Sequence, residues 1–152
     1  MNKLPSFSLK DSQGNIHSNQ DCQGCYTLLY FYPKDDTTGC TKQACLYRDL
    51  KVELLEKGIK IIGVNPAPSH QKFETKYELN FPILCDDQLD LCKKMEVWKE
   101  KSMYGRKYMG VERSCFLINP DGIIVWEKRN VSLAGHQEEL LKVVETFLIH
   151  NN

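Results

Sequence analysis

Residues 26–32, YTLLYFY, form an unbroken apolar and aromatic run that ends at Pro33. A strand-length run with no polar alternation cannot leave one face in water, so it suits the middle of a sheet covered on both sides. The rest of the chain has to supply those covers. From about Thr41 to Lys57, Leu46, Tyr47, Leu50 and Leu54 recur at helical spacing, and Gly58 provides a C-terminal stop. A second buried strand, IKIIGV (59–64), follows.

The spacing then predicts a helix over 68–79 with Ser69 near its cap, a short strand at FPIL (81–84) and a short helix over 86–95. SCFLI and IIVWEK flank Asn119-Pro120-Asp121-Gly122, a strong turn signal, and read as a hairpin. A last helix is expected over 137–149, with Leu140, Leu141, Val144 and Leu148 on one stripe and Glu138 and Glu139 in its first turn. Before the central strand, Phe7 and Leu9 alternate with polar residues and DSQGN turns the chain into Ile16, as in a short hairpin. This order predicts an α/β fold with a central mixed sheet flanked by helices. It is compatible with a thioredoxin-like layout carrying an N-terminal hairpin extension. No repeat or linker interrupts it, so residues 1–152 are expected to form a single domain.

Charge narrows the functional classes. Twenty Lys and Arg balance twenty Asp and Glu, so no net field recruits nucleic acid or an anionic membrane. Lys99, Lys101, Arg106 and Lys107 read as a solvated loop. The start of the chain lacks the apolar segment of a signal peptide, and no run approaches the roughly 18 residues of a membrane span. A cytoplasmic location is therefore expected. Seven cysteines (22, 25, 40, 45, 85, 92 and 115) are many for such a compartment, where structural disulfides are a poor explanation. Their odd number leaves at least one thiol free.

Cys40 stands where the helix begins. Backbone N–H groups there lack partners and the dipole is positive, an environment that favours thiolate over thiol. Thr37, one turn earlier, carries a hydroxyl able to donate to the sulfur or to a substrate oxygen. A buried structural cysteine beside a loop threonine fits the same residues. Cys45 lies five positions along the helix, which puts the two Cα atoms roughly 8 to 9 Å apart. A disulfide wants under about 7 Å, so the pair cannot bond while that turn stays helical.

The segment FYPKDDTTGCTKQAC resembles the active-site segment of the peroxiredoxins, P-x-x-x-T-x-x-C, met here by Pro33, Thr37 and Cys40. It is most similar to the peroxiredoxin Q branch, also called bacterioferritin comigratory protein, which carries a further cysteine where Cys45 stands. SHQKFETKY, FPIL, YGRKYMGVERSCFLINPDG and PSFSLKDSQGN extend the resemblance over nearly the whole chain. It implies a thiol-dependent peroxidase acting on hydrogen peroxide and alkyl hydroperoxides. Cys40 would be the nucleophile, Thr37 would orient the peroxide, Pro33 would shield the sulfur, and Arg113 would sit beside the thiolate. Cys45 would resolve the sulfenic acid as a disulfide after local unwinding. Thioredoxin or a similar dithiol would then reduce it, with no metal or organic cofactor, in a chain that acts as a monomer.

Three departures from the branch stand out. Thr38 replaces a proline, which predicts a less rigid loop. Gln43 replaces a glutamate that could bind the arginine. Cys115 replaces Ser or Thr beside the site. Outside the motif, Cys22-x-x-Cys25 reads as an exposed loop pair, and Cys85 and Cys92 as core or helix-face residues. His17, His70, His136 and His150 are far from the motif along the chain. The alternatives are a thiol–disulfide oxidoreductase working through Cys22 and Cys25, and a cysteine-based redox sensor or zinc-binding module. Cys40→Ser against Cys22→Ser separates the first of these from a peroxidase, and zinc content tests the second.

Overall fold

The computed structural model describes residues 2–149. Its elements are β1 (Ser8–Lys10), β2 (Ile16–Ser18), a 3-10 turn (Asn19–Cys22), β3 (Tyr26–Phe31), α1 (Thr38–Glu56), β4 (Ile59–Asn65), α2 (Gln71–Lys76) and β5 (Ile83–Cys85). They continue with α3 (Asp90–Lys94), β6 (Trp98–Met103), β7 (Arg106–Val111), β8 (Ser114–Ile118), β9 (Ile124–Arg129) and α4 (His136–Ile149). Among the described residues no helix is long and apolar enough to cross a membrane.

The apolar run takes the centre, as its composition demands. β3 lies between β4 and β8 in a five-stranded sheet of order β5-β4-β3-β8-β9, parallel to β4 and antiparallel to β8. Because side chains alternate along a strand, Leu28, Tyr30 and Tyr32 enter one core with α1, α2 and α4, while Leu29 and Phe31 enter another with α3 and the N-terminal segment. The cysteines divide the same way. Cys40 and Cys115 belong to the first core, Cys22 and Cys92 to the second.

Most expected elements are present, with shifted ends. α1 begins at Thr38 rather than near Thr41, because the first turn is polar and small and gives no apolar signal. The helix expected over 68–79 shrinks to Gln71–Lys76, with His70 rather than Ser69 at its cap; Ser69 Oγ accepts from the Gln71 amide at 3.3 Å. Glu78, at φ 51°, takes the left-handed conformation that stops it. The N-terminal hairpin β1–β2 and the hairpin β8–β9 form as expected. In the latter turn Asn119 Oδ1 accepts from the amides of Asp121 and Ile123 at 3.0 and 2.9 Å.

Two expectations need correction. The basic stretch around Lys99–Lys107 is a hairpin, β6–β7, and not a loop. Its strands are solvated on most positions, so they lack the alternation that marks a half-buried strand. Tyr104-Gly105, with φ of 52° and 79°, makes the tight turn. Cys22 and Cys25 are not an exposed pair either. Cys22 is buried in the second core at the end of the 3-10 turn, and only Cys25 is partly exposed. Burial pushes the Cys22 thiol up from its ordinary value.

Candidate active site

β3 ends at Phe31, and the loop after it delivers the first turn of α1 to the same end of the sheet where β8 begins. The antiparallel register, Phe31 opposite Ser114, sets Arg113 beside that turn. Arg113 Nη2 donates to Cys40 Sγ at 3.3 Å, and Nη1 donates to Gln43 Oε1 at 2.6 Å. Gly39 makes room for this contact: a Cβ there would stand 3.0 Å from Arg113 Nη2. The Arg113 carbonyl accepts from the Val131 amide at 2.9 Å, which fixes the backbone that carries the guanidinium.

Cys40 occupies the third position of α1 and is 1 % exposed. Thr37 is the N-cap but makes no side-chain cap; its hydroxyl donates to the Lys34 carbonyl at 3.0 Å. The amides of the first helical turn therefore have neither an intrahelical acceptor nor this hydroxyl. Pro33 follows β3 and is half-buried. Cys45 lies on the same continuous helix, half-buried, about 140° around the axis from Cys40. The structure thus brings Cys40, Arg113 and Gln43 together, places Thr37 and Pro33 in the adjoining loop, and leaves Cys45 on the helix flank.

The loop itself is tied at both aspartates. Asp35 accepts from Tyr32 O–H at 2.6 Å and pairs with His70 Nδ1 at 2.8 Å. Asp36, at φ 59°, accepts from Lys76 Nζ at 2.8 Å and from Tyr77 O–H at 2.5 Å. These bonds anchor a loop that Thr38, in place of a proline, was expected to loosen. The Gln43 departure also has a structural answer. The amide oxygen takes over the arginine tether that the missing carboxylate would have provided.

Two histidines distant in sequence each bond to a residue near the motif. His70 pairs with Asp35, and His136 Nε2 lies 2.7 Å from the Tyr47 hydroxyl, which accepts from Gln43 Nε2 at 3.1 Å. Neither histidine bonds to Cys40; His150 lies outside the described residues. Gln43 and Tyr47 share the buried face of Cys40, three and seven positions on, so helical spacing alone could have singled them out. No sequence signal points to His136, whose position depends on how α4 packs. The hairpin β6–β7 also reaches the site, where burial and the Arg113 guanidinium pull the Lys101 ammonium below its ordinary value.

The other thiols are placed differently. Burial pushes Cys85 and Cys92 up from their ordinary values, and Cys115 up to about 12. Among the described residues no cluster of His, Cys, Asp and Glu could hold a metal ion.

The sequence pattern of the AhpC/TSA family matches residues 1–127. A putative peroxiredoxin bcp of Coxiella burnetii is 41% identical over 143 residues, covering 91% of this chain and 93% of the relative. Peroxiredoxin Bcp of Bacillus subtilis is 41% identical over 145 residues, covering 94% and 92%. Among solved structures, the bacterioferritin comigratory protein of Xanthomonas campestris, described for its alkyl peroxide reduction activity, superposes with a TM-score of 0.87 at 35% identity. That match covers 93% of this chain and 92% of the other.

Proposed function

This chain belongs to the AhpC/TSA family as a peroxiredoxin of the Bcp branch, and we propose that Cys40 is the thiol with which it reduces hydroperoxides. The chain is a thiol-dependent peroxidase, which requires a peroxide substrate and a reductant. The observation that carries the assignment is the 3.3 Å contact of Arg113 Nη2 with Cys40 Sγ at the first turn of α1.

Cys40 Sγ attacks one oxygen of the hydroperoxide. A sulfur–oxygen bond forms, the O–O bond breaks, and the departing oxygen takes a proton to leave as alcohol or water. Cys40 is left as sulfenic acid. The Arg113 guanidinium and the first-turn amides stand where negative charge develops on the two oxygens. Thr37, its hydrogen engaged by the Lys34 carbonyl, offers an oxygen lone pair to the O–H of a bound hydroperoxide. Pro33 excludes bulk water from one side.

Cys45 resolves the sulfenic acid: its sulfur attacks Cys40 Sγ, water leaves, and a disulfide forms. The placement of the other thiols supports this choice. Cys22 and Cys92 lie in the opposite core, across the sheet from Cys40, and Cys115 is held as a thiol by burial. The five-residue spacing on an unbroken helix requires residues 40–45 to unwind first. A thioredoxin-like dithiol then restores both thiols by exchange. The whole chain acts as one domain, as a monomer in the cytoplasm.

Peptide mapping tests the pairing. After one equivalent of peroxide, blocking under denaturing conditions should capture a Cys40–Cys45 link. A link from Cys40 to Cys85, Cys92 or Cys115 removes Cys45 from the mechanism, and peroxide turnover surviving Cys40→Ser removes Cys40.

A further inference from the structure

A chain of hydrogen bonds runs from the sulfur into α4. Arg113 Nη2 reaches Cys40 Sγ at 3.3 Å, and Nη1 reaches Gln43 Oε1 at 2.6 Å. Gln43 Nε2 reaches Tyr47 O at 3.1 Å, Tyr47 reaches His136 Nε2 at 2.7 Å, and His136 Nδ1 reaches Glu139 Oε1 at 3.3 Å. Gln43 and Tyr47 are 0 % exposed and His136 1 %, so water does not substitute for a lost partner.

The bonds between these residues fit the following pattern, with the Cys115 thiol a further neighbour of the Tyr47 hydroxyl. His136 Nδ1 faces the carboxyl oxygen of Glu139, so Nδ1 carries the proton and donates. The neutral ring then accepts at Nε2, which makes Tyr47 the donor there. With its one hydrogen used, the Tyr47 oxygen can only accept from Gln43. The amide nitrogen therefore faces Tyr47, and the amide oxygen faces Arg113, which can only donate. Burial pushes His136 below its ordinary value and favours the neutral ring, although Glu139 acts in the opposite direction.

We propose that Tyr47 and His136 are positioning residues for peroxide reduction: they hold the Gln43 amide in the orientation that fixes the Arg113 guanidinium on Cys40. The proposal rests on Cys40 being the peroxide-reducing thiol. A glutamine needs such a device because its two ends differ. A turned amide would present N–H₂ to the guanidinium, donor against donor. A glutamate would not need it, because both carboxylate oxygens accept. The relay also bears on the second step. Gln43 lies between Cys40 and Cys45, so unwinding for disulfide formation breaks its bonds to Arg113 and Tyr47 together. The relay thus holds the folded form against the unwound one.

A double-mutant cycle with single-turnover kinetics tests this. Tyr47→Phe should slow oxidation of Cys40 by peroxide about tenfold in the native chain, and only about twofold in Gln43→Glu. In Tyr47→Phe the later disulfide step should be no slower than in the native chain, because residues 40–45 unwind at least as readily. His136→Leu should behave as Tyr47→Phe, while His136→Gln, which keeps an acceptor for Tyr47, should recover most of the rate. This pair decides the matter if Gln43→Glu does not fold. An equal cost of Tyr47→Phe in both backgrounds, no cost in either, or equal rates for His136→Leu and His136→Gln overturns the relay. Cys40→Ser keeps the two readings apart: turnover surviving it defeats the site, while its loss together with an equal Tyr47→Phe cost defeats the relay alone.

Discussion

Cys40 and Cys115 lie in the same apolar core and are 1 % and 0 % exposed, yet their surroundings differ in kind. Cys40 sits in the first turn of a helix with an arginine donating to its sulfur. Cys115 is the second residue of β8, opposite Tyr30 of β3 and Lys128 of β9. Burial pushes its thiol up to about 12, and Glu139 acts in the same direction, against smaller opposing effects of the Tyr47 hydroxyl and Lys128. Burial alone therefore does not make a cysteine inert or reactive. What matters is which donor faces the sulfur: a charged guanidinium at a helix's first turn faces Cys40, where backbone groups lack partners, whereas Cys115 has only the neutral Tyr47 hydroxyl.

The largest expected effect tests this contrast directly. Cys40→Ser should abolish peroxide turnover, while Cys115→Ala should retain it to within about threefold, at a cost of about 1 kcal/mol in stability. Peroxide consumption and thermal unfolding measure the two sides. Loss of turnover in Cys115→Ala with an intact fold would break the comparison.

Removing the donor should have the next effect. Arg113→Met should lower the second-order constant for Cys40 oxidation about a hundredfold, in the range for loss of one preorganised charge-stabilising donor. Arg113→Lys should recover only part, because an ammonium lacks the planar fork that reaches Cys40 and Gln43 together. Stopped-flow oxidation would show both. A variant as fast as the parent would mean that the helix end alone distinguishes Cys40 from Cys115.

Cys45→Ser extends the comparison to the second step. The variant should still consume one equivalent of peroxide but stop at sulfenic acid, and turnover with a dithiol should fall about tenfold. Intact mass after thiol blocking distinguishes the states. A Cys40–Cys115 disulfide in this variant would show that the strand cysteine is less inert than its surroundings imply.

The sequence carried these two thiols unequally. The central strand was legible because an unbroken apolar run has one stable place in a sheet, and Cys40 because its spacing to Pro33 and Thr37 is local. The hairpin β6–β7 was not, since Lys99, Lys101, Arg106 and Lys107 mask strand alternation with solvated side chains. The burial of Cys22 is not legible, because a short loop between two strands gives no periodic sign of which side faces inward. Gln43 was visible only as a departure. Its tie to Tyr47 follows helical spacing, but the step to His136 crosses from α1 to α4 and exists only through packing. Local chemistry was readable, and contacts between distant elements were not.

The smallest effect concerns His136 and Cys115, two buried groups that burial keeps neutral by moving their titrations in opposite directions. Burial lowers His136, with Glu139 opposing, so between its folded value and its ordinary value of about 6.5 the unfolded chain binds more protons. Stability is then complete above about pH 6.5 and is lost as pH falls through the folded value. Glu74, raised by burial, works the other way above its ordinary value of 4.5, so the His136 contribution must be isolated by difference. Cys115 is raised from 9.0 to about 12, so its contribution is present below pH 9 and lost as pH rises toward 12. Thermal midpoints should fall by a few degrees at each end. His136→Leu should flatten the acid limb, and Cys115→Ala should flatten part of the alkaline limb, leaving the share of Cys22, Cys85 and Cys92 and of the buried Tyr30, Tyr32 and Tyr47, all of which burial also raises. An alkaline limb unchanged in Cys115→Ala would mean that the strand cysteine ionises as readily folded as unfolded, and the difference between the two thiols would then lie in geometry alone.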